Sequence, residues 1–148
     1  AVADLNGNAR LVEVSEATRA FHVEQGIDSE RVAVIHNGVD LDRFRPRLRI
    51  DHVRRELGIP PDAFVALTVG QIGLRKGWDM LADTAVTLAS RFPSLHLVLA
   101  GERYSAKAET VAYEAAVRAR LAAAMPGRAH FVGYRDDMPD LMNAADLL

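Results

Sequence analysis

Residues 64–77 read FVALTVGQIGLRKG, and the rest of the chain is organised around them. Phe64, Val65, Ala66, Leu67, Thr68 and Val69 form a short, almost unbroken apolar run, the pattern of a strand covered on both faces as in a parallel sheet. Beyond Gly70 the spacing changes. Trp78, Leu81, Ala82, Ala85, Leu88, Ala89 and Phe92 recur at three- and four-residue steps, which predicts a helix with one apolar face. Strand, glycine-bearing loop and helix therefore follow one another, with two adjacent cations at the helix opening. In open α/β folds such a loop lies at the carboxyl edge of the sheet, where the helix offers unpaired N–H groups and its positive dipole end to an anion. Gly70, Gly73 and Gly77 allow the backbone to approach a ligand closely, and Arg75 and Lys76 add full positive charge. The loop has the makings of a phosphate seat.

The glycine spacing is neither GxGxxG nor GxxxxGK followed by Ser or Thr, so the dinucleotide-loop and P-loop readings are rejected. A second reading stays open from the loop alone: the glycines close a tight turn and the two cations are solvated. Cation usage leans toward the seat. Arginine is the default cation of this chain and only Lys76 and Lys107 are lysines, so a lysine here departs from the general composition.

Toward the C-terminus the pattern repeats. Pro93 breaks the helix, residues 95–100 (LHLVLA) form the next strand, and Gly101-Glu102-Arg103 follow at its carboxyl end. A long helix is expected over about residues 106–125, with Tyr113, Val117, Leu121 and Ala124 on one face and Pro126-Gly127 closing it. Residues 130–132 form a short strand, followed by Gly133-Tyr134-Arg135 and a short helix through Ala145 capped by Asp136 or Asp137. Successive βα units connect right-handed into one parallel sheet, so the loops at Gly70, Gly101 and Gly133 should open on one crevice. Tyr134 beside it reads as a base platform, a lid or a core residue. The last residues begin another apolar run without a closing turn, and the natural chain is expected to continue.

Toward the N-terminus, residues 9–14 and 31–35 read as strands, with Ser15 capping a helix over residues 16–25 and Gly26 ending it. His36-Asn37-Gly38 is a turn signal, and His36 reads as structural rather than as a ligand. Six arginines at 43, 45, 47, 49, 54 and 55, diluted by Asp42 and Asp51, read as a solvated face, with anionic lipid or an acidic partner as the alternative. Residues 52–57 form a short helix, and Pro60-Pro61 separate it from the central strand.

The 148 residues, 49% of them apolar, suffice for one sizeable core. A net charge of −2 argues against a nucleic-acid binder, and the lack of cysteine excludes disulfide scaffolds, thiol nucleophiles and zinc ribbons. No apolar run reaches membrane-spanning length and no signal peptide precedes the first element, so a cytoplasmic protein is expected. The first residue is Ala, which suggests a piece of a longer chain or a processed product.

VSEATRAF, VAVIHNGVDLDRFRP, VGQIGLRKGWDML, LHLVLAGE and HFVGYRDDMPDLMNAADLL, in this order, resemble family 4 glycosyltransferases of the GT-B fold, the glycogen synthase and mannosyltransferase-like group. The resemblance runs from about Leu11 onward. It implies an α/β fold of Rossmann-like parallel βαβ units. Residues 1–38 would be the tail of an acceptor-side domain and its crossover strand, 39–62 a linker with a short helix, and 63–148 the first half of a nucleotide-sugar donor domain. Such enzymes move a sugar from a nucleotide diphosphate sugar to a sugar, lipid or small-molecule acceptor, usually with retention and with no obligatory metal or cofactor. Lys76 matches the family's diphosphate-binding lysine, the position that loop chemistry selects independently, with Arg75, Gln71 and Gly73 around it. Gln71 stands where the family often has an arginine, and Arg75 is the candidate to replace that charge. Gly133 and Tyr134 match the nucleobase loop, and Gly101 and Glu102 match the loop flanking the donor pocket. The catalytic residues are expected outside this chain: a glutamate pair after Leu148 and a glycine-rich loop before Ala1. The parent would be a cytoplasmic transferase, with peripheral contact at the inner membrane face as an option and no nucleic-acid partner, and this piece alone would be inactive. A non-catalytic nucleotide- or phosphate-binding module and an α/β interaction domain using the arginine run remain as alternatives.

Overall fold

The computed structural model describes Gly7 and residues 10–47 and 51–148. It divides into two compact units, residues 1–44 and 45–148. In the first, strands β1 (Leu11–Glu13) and β2 (Val32–Val34) pair in parallel, with Val12 opposite Ala33. Helix α1 (Glu16–Glu24) lies between them in sequence, and Ser15 caps it as expected, its Oγ accepting the Thr18 N–H at 3.1 Å. His36 donates through Nδ1 to the Val14 carbonyl at 3.2 Å, the structural role expected of it. Ala9, placed in the first strand by sequence, lies outside the described residues.

The second unit is built on three parallel strands in the order β3 (Phe64–Val69), β4 (Leu95–Ala100) and β5 (Ala129–Gly133). Their registers set Leu67 opposite Val98 and Leu99 opposite Phe131. Helices α3 (Trp78–Leu88) and α4 (Ala108–Ala124) cover one face of this sheet, and α2 (Asp51–Glu56) and α5 (Met138–Ala144) the other. The apolar run of β4 explains why both faces are needed. Leu97 and Leu99 pack with Trp78, Leu121 and Met125, while Val98 and Ala100 pack with Val53, Val65, Leu67 and Leu141. A strand buried on both sides cannot alternate apolar with polar residues, and β4 does not.

The short helix expected within 39–62 forms as α2 and is docked into the second unit, with Val53 in its core. Two details differ from the sequence reading. The arginine run is not a uniform solvated face. Arg54 is only 2% exposed and donates to the carbonyls of Ala144 at 2.8 Å and Ala63 at 2.7 Å and to the Asp146 carboxylate at 2.7 Å. A buried guanidinium is tolerable only when its donors are matched in this way. Arg47 pairs with Asp140 at 3.4 Å, and Arg49 lies outside the described residues. Finally, Asp137 occupies the N-cap position of α5 without a capping bond, since its carboxylate is held by Arg135.

The last residues behave as the start of a strand. Asp146 N–H donates to the Val65 carbonyl at 2.8 Å and Leu67 N–H to the Leu147 carbonyl at 2.8 Å, a parallel bridge on the outer edge of β3. The spatial order is therefore Leu147, β3, β4, β5, and the chain reverses its direction of growth across the sheet at β3. No helix among the described residues is long and apolar enough to cross a membrane.

Candidate functional site

In open parallel sheets a ligand crevice forms outside the carboxyl ends of the strands, where the strand order reverses. The carboxyl end of β3 is such a point. Gly70, Gly101 and Gly133 terminate the three strands, all at positive φ. Gly70 N–H donates to the Ala100 carbonyl at 2.9 Å, Gly101 N–H to the Gly133 carbonyl at 2.7 Å and Ile72 N–H to the Glu102 carbonyl at 3.0 Å. These bonds carry the ladder beyond the strands and hold the three loops together. At Gly101, φ is 141° and a Cβ would collide with the Gly70 carbonyl, so only glycine fits.

The loops enclose a cleft of about 440 Å³ lined by Gly70, Gln71, Gly101, Glu102, Gly133 and Tyr134, with Arg103, Tyr104, Arg135 and Met138 completing the wall. Five of the eight residues expected at the site thus come together, because three loops distant in sequence are brought to one sheet edge. Tyr134 is 74% exposed at the rim, which removes the core reading and leaves a platform or lid. The Glu102 carboxylate accepts the Tyr134 N–H at 3.4 Å and also faces a neighbouring polar recess with Arg103, Glu114 and Arg118.

Arg75 and Lys76 sit on a 3₁₀ turn, Leu74–Lys76, before α3 begins at Trp78; they do not open the helix itself. The Lys76 stem runs along Gly70, with Cδ and Cε 3.5 and 3.6 Å from where a Gly70 Cβ would lie, which puts the lysine on the lip of the cleft. Among the described residues neither cation has a carboxylate partner, and both are exposed. Gly73 does not face the cleft. It borders a separate depression of about 230 Å³ with Leu74, Glu109, Thr110 and Tyr113.

The helix N-terminus is not the open anion seat that sequence suggests. Asp79 N–H donates to the Tyr113 hydroxyl at 3.0 Å, and that hydroxyl donates to the Asp79 carboxylate at 3.0 Å. The Tyr113 bond, helped by the amides of Asp79 and Met80, holds the Asp79 carboxyl below the usual carboxylate range. The first turn of α3 therefore carries its own anion, and an external phosphate is left to Lys76 and Arg75.

Two further cations near the cleft are already engaged. Arg135 donates to both Asp137 and Glu56, at 2.7 and 2.5 Å for the shortest bonds; these contacts raise its pKa and lower those of both carboxylates. Arg103 Nε meets Glu114 at 2.9 Å. The sequence reading counted these cations only in general terms, and Asp137 two residues after Arg135 was the signal for the local pair. By spacing alone Tyr113 belongs to an apolar stripe. Its hydroxyl on that stripe was the clue, since a half-buried Tyr O–H needs a partner. Among the described residues no group of three or more His, Asp or Glu could hold a metal ion.

The sequence model of Glycosyl transferases group 1 matches residues 63–148. D-inositol 3-phosphate glycosyltransferase of Thermomonospora curvata is 40% identical over 102 residues, covering 64% of this chain and 24% of the relative. The enzyme of the same name from Streptomyces bingchenggensis is 43% identical over 83 residues, 56% of this chain and 17% of its own length. In three dimensions the chain is similar to HepE (Alr3699) of Anabaena, crystallised with UDP and glucose. The TM-score is 0.78 at 26% identity, over 93% of this chain and 36% of that one. The chain thus matches only about a fifth of the length of these curated relatives, 24% of one and 17% of the other.

Proposed function

We propose that this chain, which belongs to the glycosyl transferases group 1, supplies the diphosphate and nucleoside side of the donor site in an enzyme that moves a sugar from a nucleoside diphosphate to an acceptor. The observation that carries this reading is the convergence of three glycine-ended strand loops on one cleft, with two exposed cations unpaired among the described residues at one side of it. A lysine and an arginine side by side suit a diphosphate, which needs several donors and positive charge but little shape discrimination. Glu102 and Tyr134 lie across the cleft and supply an acceptor carboxylate and a flat ring for the nucleoside.

In such a transfer the bond from the anomeric carbon to the diphosphate oxygen breaks, and the acceptor hydroxyl forms the new bond and gives up its proton. Charge grows on the leaving diphosphate. Lys76, with Arg75 beside it, stabilises that charge more in the transition state than in the ground state, which is how fixed electrostatics speeds the step. Gln71 contributes a neutral amide at the lip, so the positive charge there comes from Lys76 and Arg75. Placement of the acceptor hydroxyl and retention of configuration belong to residues outside this chain.

Thermal denaturation with UDP and with inorganic phosphate tests the reading. UDP at high concentration is expected to raise the Tm, and Lys76→Ala to weaken the underlying affinity roughly tenfold or more, the loss of a charge-assisted hydrogen bond. A UDP-induced shift unchanged by Lys76→Ala removes the diphosphate assignment. The chain alone is expected to transfer no sugar from UDP-glucose, and measurable transfer would show that it contains the whole reaction centre.

A further inference from the structure

We propose that Tyr113 is a positioning residue for the diphosphate end of the cleft, its hydroxyl holding the first turn of α3 and with it the turn that carries Arg75 and Lys76. The inference rests on the donor-site reading above.

Residues 72–79 form an arch with two footings. At one, Ile72 is buried and its N–H donates to the Glu102 carbonyl at 3.0 Å. At the other, the Tyr113 hydroxyl accepts from Asp79 N–H and donates to the Asp79 carboxylate, both at 3.0 Å. On the helix side Trp78 is also buried in the core, so the free part of the arch is residues 73–76, where Lys76 N–H donates to the Gly73 carbonyl and Gly77 N–H to the Leu74 carbonyl, each at 3.0 Å. Beneath Gly73 and Leu74 the packing is open. The depression of about 230 Å³ lies between Gly73 and Leu74 on one side and Glu109, Thr110 and Tyr113 on the other, and the Leu74 side chain is exposed.

Gly77 stands at the N-cap of α3 and has no side chain with which to cap it. The cap that Ser, Thr, Asp or Asn would supply locally is delivered instead from α4, a different element. Burial pushes the Tyr113 phenol up, so the hydroxyl keeps its proton and its donor function through the physiological range. The same bond occupies the Asp79 carboxylate, three residues from Lys76. Once released, that carboxylate is free to turn toward the neighbouring cations and compete with a phosphate for them.

The test is a double-mutant cycle read by titration calorimetry with UDP, using the unaltered chain, Tyr113→Phe, Lys76→Ala and the double variant. Tyr113→Phe keeps the ring in its packing and removes only the hydroxyl. It is expected to weaken UDP binding about three- to tenfold, the worth of one or two hydrogen bonds. It is expected to add nothing once Lys76 is gone, because the hydroxyl acts through the turn that carries the lysine. A merely structural role would not produce that dependence. If Tyr113→Phe weakens UDP by the same factor with and without Lys76, or leaves it unchanged while Lys76→Ala weakens it, the inference fails and the donor-site reading stands. If the unaltered chain does not bind UDP, or Lys76→Ala is without effect, the donor-site reading fails and the inference with it.

Discussion

The two ends of the β3-β4-β5 sheet are made from the same three strands and treat their polar groups in opposite ways. At the amino end, polar groups are spent on each other. The Arg128 guanidinium, just before β5, donates to the carbonyls of Ala89, Phe92, Pro93 and Leu95 at 3.2–3.3 Å and so closes the end of α3 and the chain entering β4. His96 and His130 stack with centroids 5.3 Å apart, and Nδ1 of one lies 3.0 Å from Nε2 of the other. At the carboxyl end, glycines replace side chains, the loops are tied by backbone bonds, and Lys76 and Arg75 have no carboxylate partner among the described residues. One end is closed and stabilising. The other is kept open by backbone geometry and holds charge available for a ligand.

The largest test of this contrast is Gly101→Ala. The new methyl group would meet the Gly70 carbonyl at a φ that alanine rarely adopts, so the glycine-tied loops must separate. A loss of about 3 kcal/mol in urea denaturation is expected from strain and overpacking together, with loss of UDP stabilisation as well. A stable variant that still binds UDP would show that the close approach of the loops is dispensable.

Arg128→Ala comes next and should separate stability from binding. It removes charged hydrogen bonds to four carbonyls, a loss of about 2 kcal/mol in the denaturation midpoint, while the affinity for UDP stays the same. A comparable loss of UDP affinity would break the distinction between the two ends.

A smaller effect is a pH dependence located at the amino end. Burial lowers the pKa of both histidines; Arg128 and Arg54 lower that of His96 further, and His96 lowers that of His130. The unfolded chain then takes up protons first as pH falls. The stability these neutral rings contribute is full above the ordinary histidine value of 6.5 and is lost below it, down through the folded values. The Tm of the unaltered chain is expected to drop from about pH 8 to about pH 5 more steeply than that of His130→Gln. Equal slopes would place the pH dependence elsewhere. The smallest effect on stability belongs to Arg75→Ala, within about 0.5 kcal/mol because the side chain is exposed, yet with weaker UDP binding.

Much of this was legible in the chain itself. The runs 64–69 and 95–100 coincide with β3 and β4, because a hexamer with a single polar residue followed by glycine has few other uses in a chain of alternating helical patterns. That the three glycine-ended loops meet also followed, since right-handed βα connections leave strand ends on one edge. Gln71, Gly101, Glu102, Gly133 and Tyr134 line the cleft for that reason. Gly73 lies instead beside the depression by α4, because spacing within a loop does not say which way its backbone turns.

What sequence by itself determined is whatever depends on near neighbours: strand and helix type, the capping of α1 by Ser15, and the glycine at each strand end. Only the tertiary structure decided which cations are available. Arg54, Arg128 and Arg135 are no different from Arg75 as letters, yet the first three find carbonyls or carboxylates 2 to 92 residues away in sequence, and no such pairing joins Arg75 to a described residue. Tyr113 is the same case, an apolar-stripe residue by spacing and a helix cap by position. Charge and hydrogen-bonding capacity are written in the chain, but whether they are spent is a property of distance in space, which folding alone assigns.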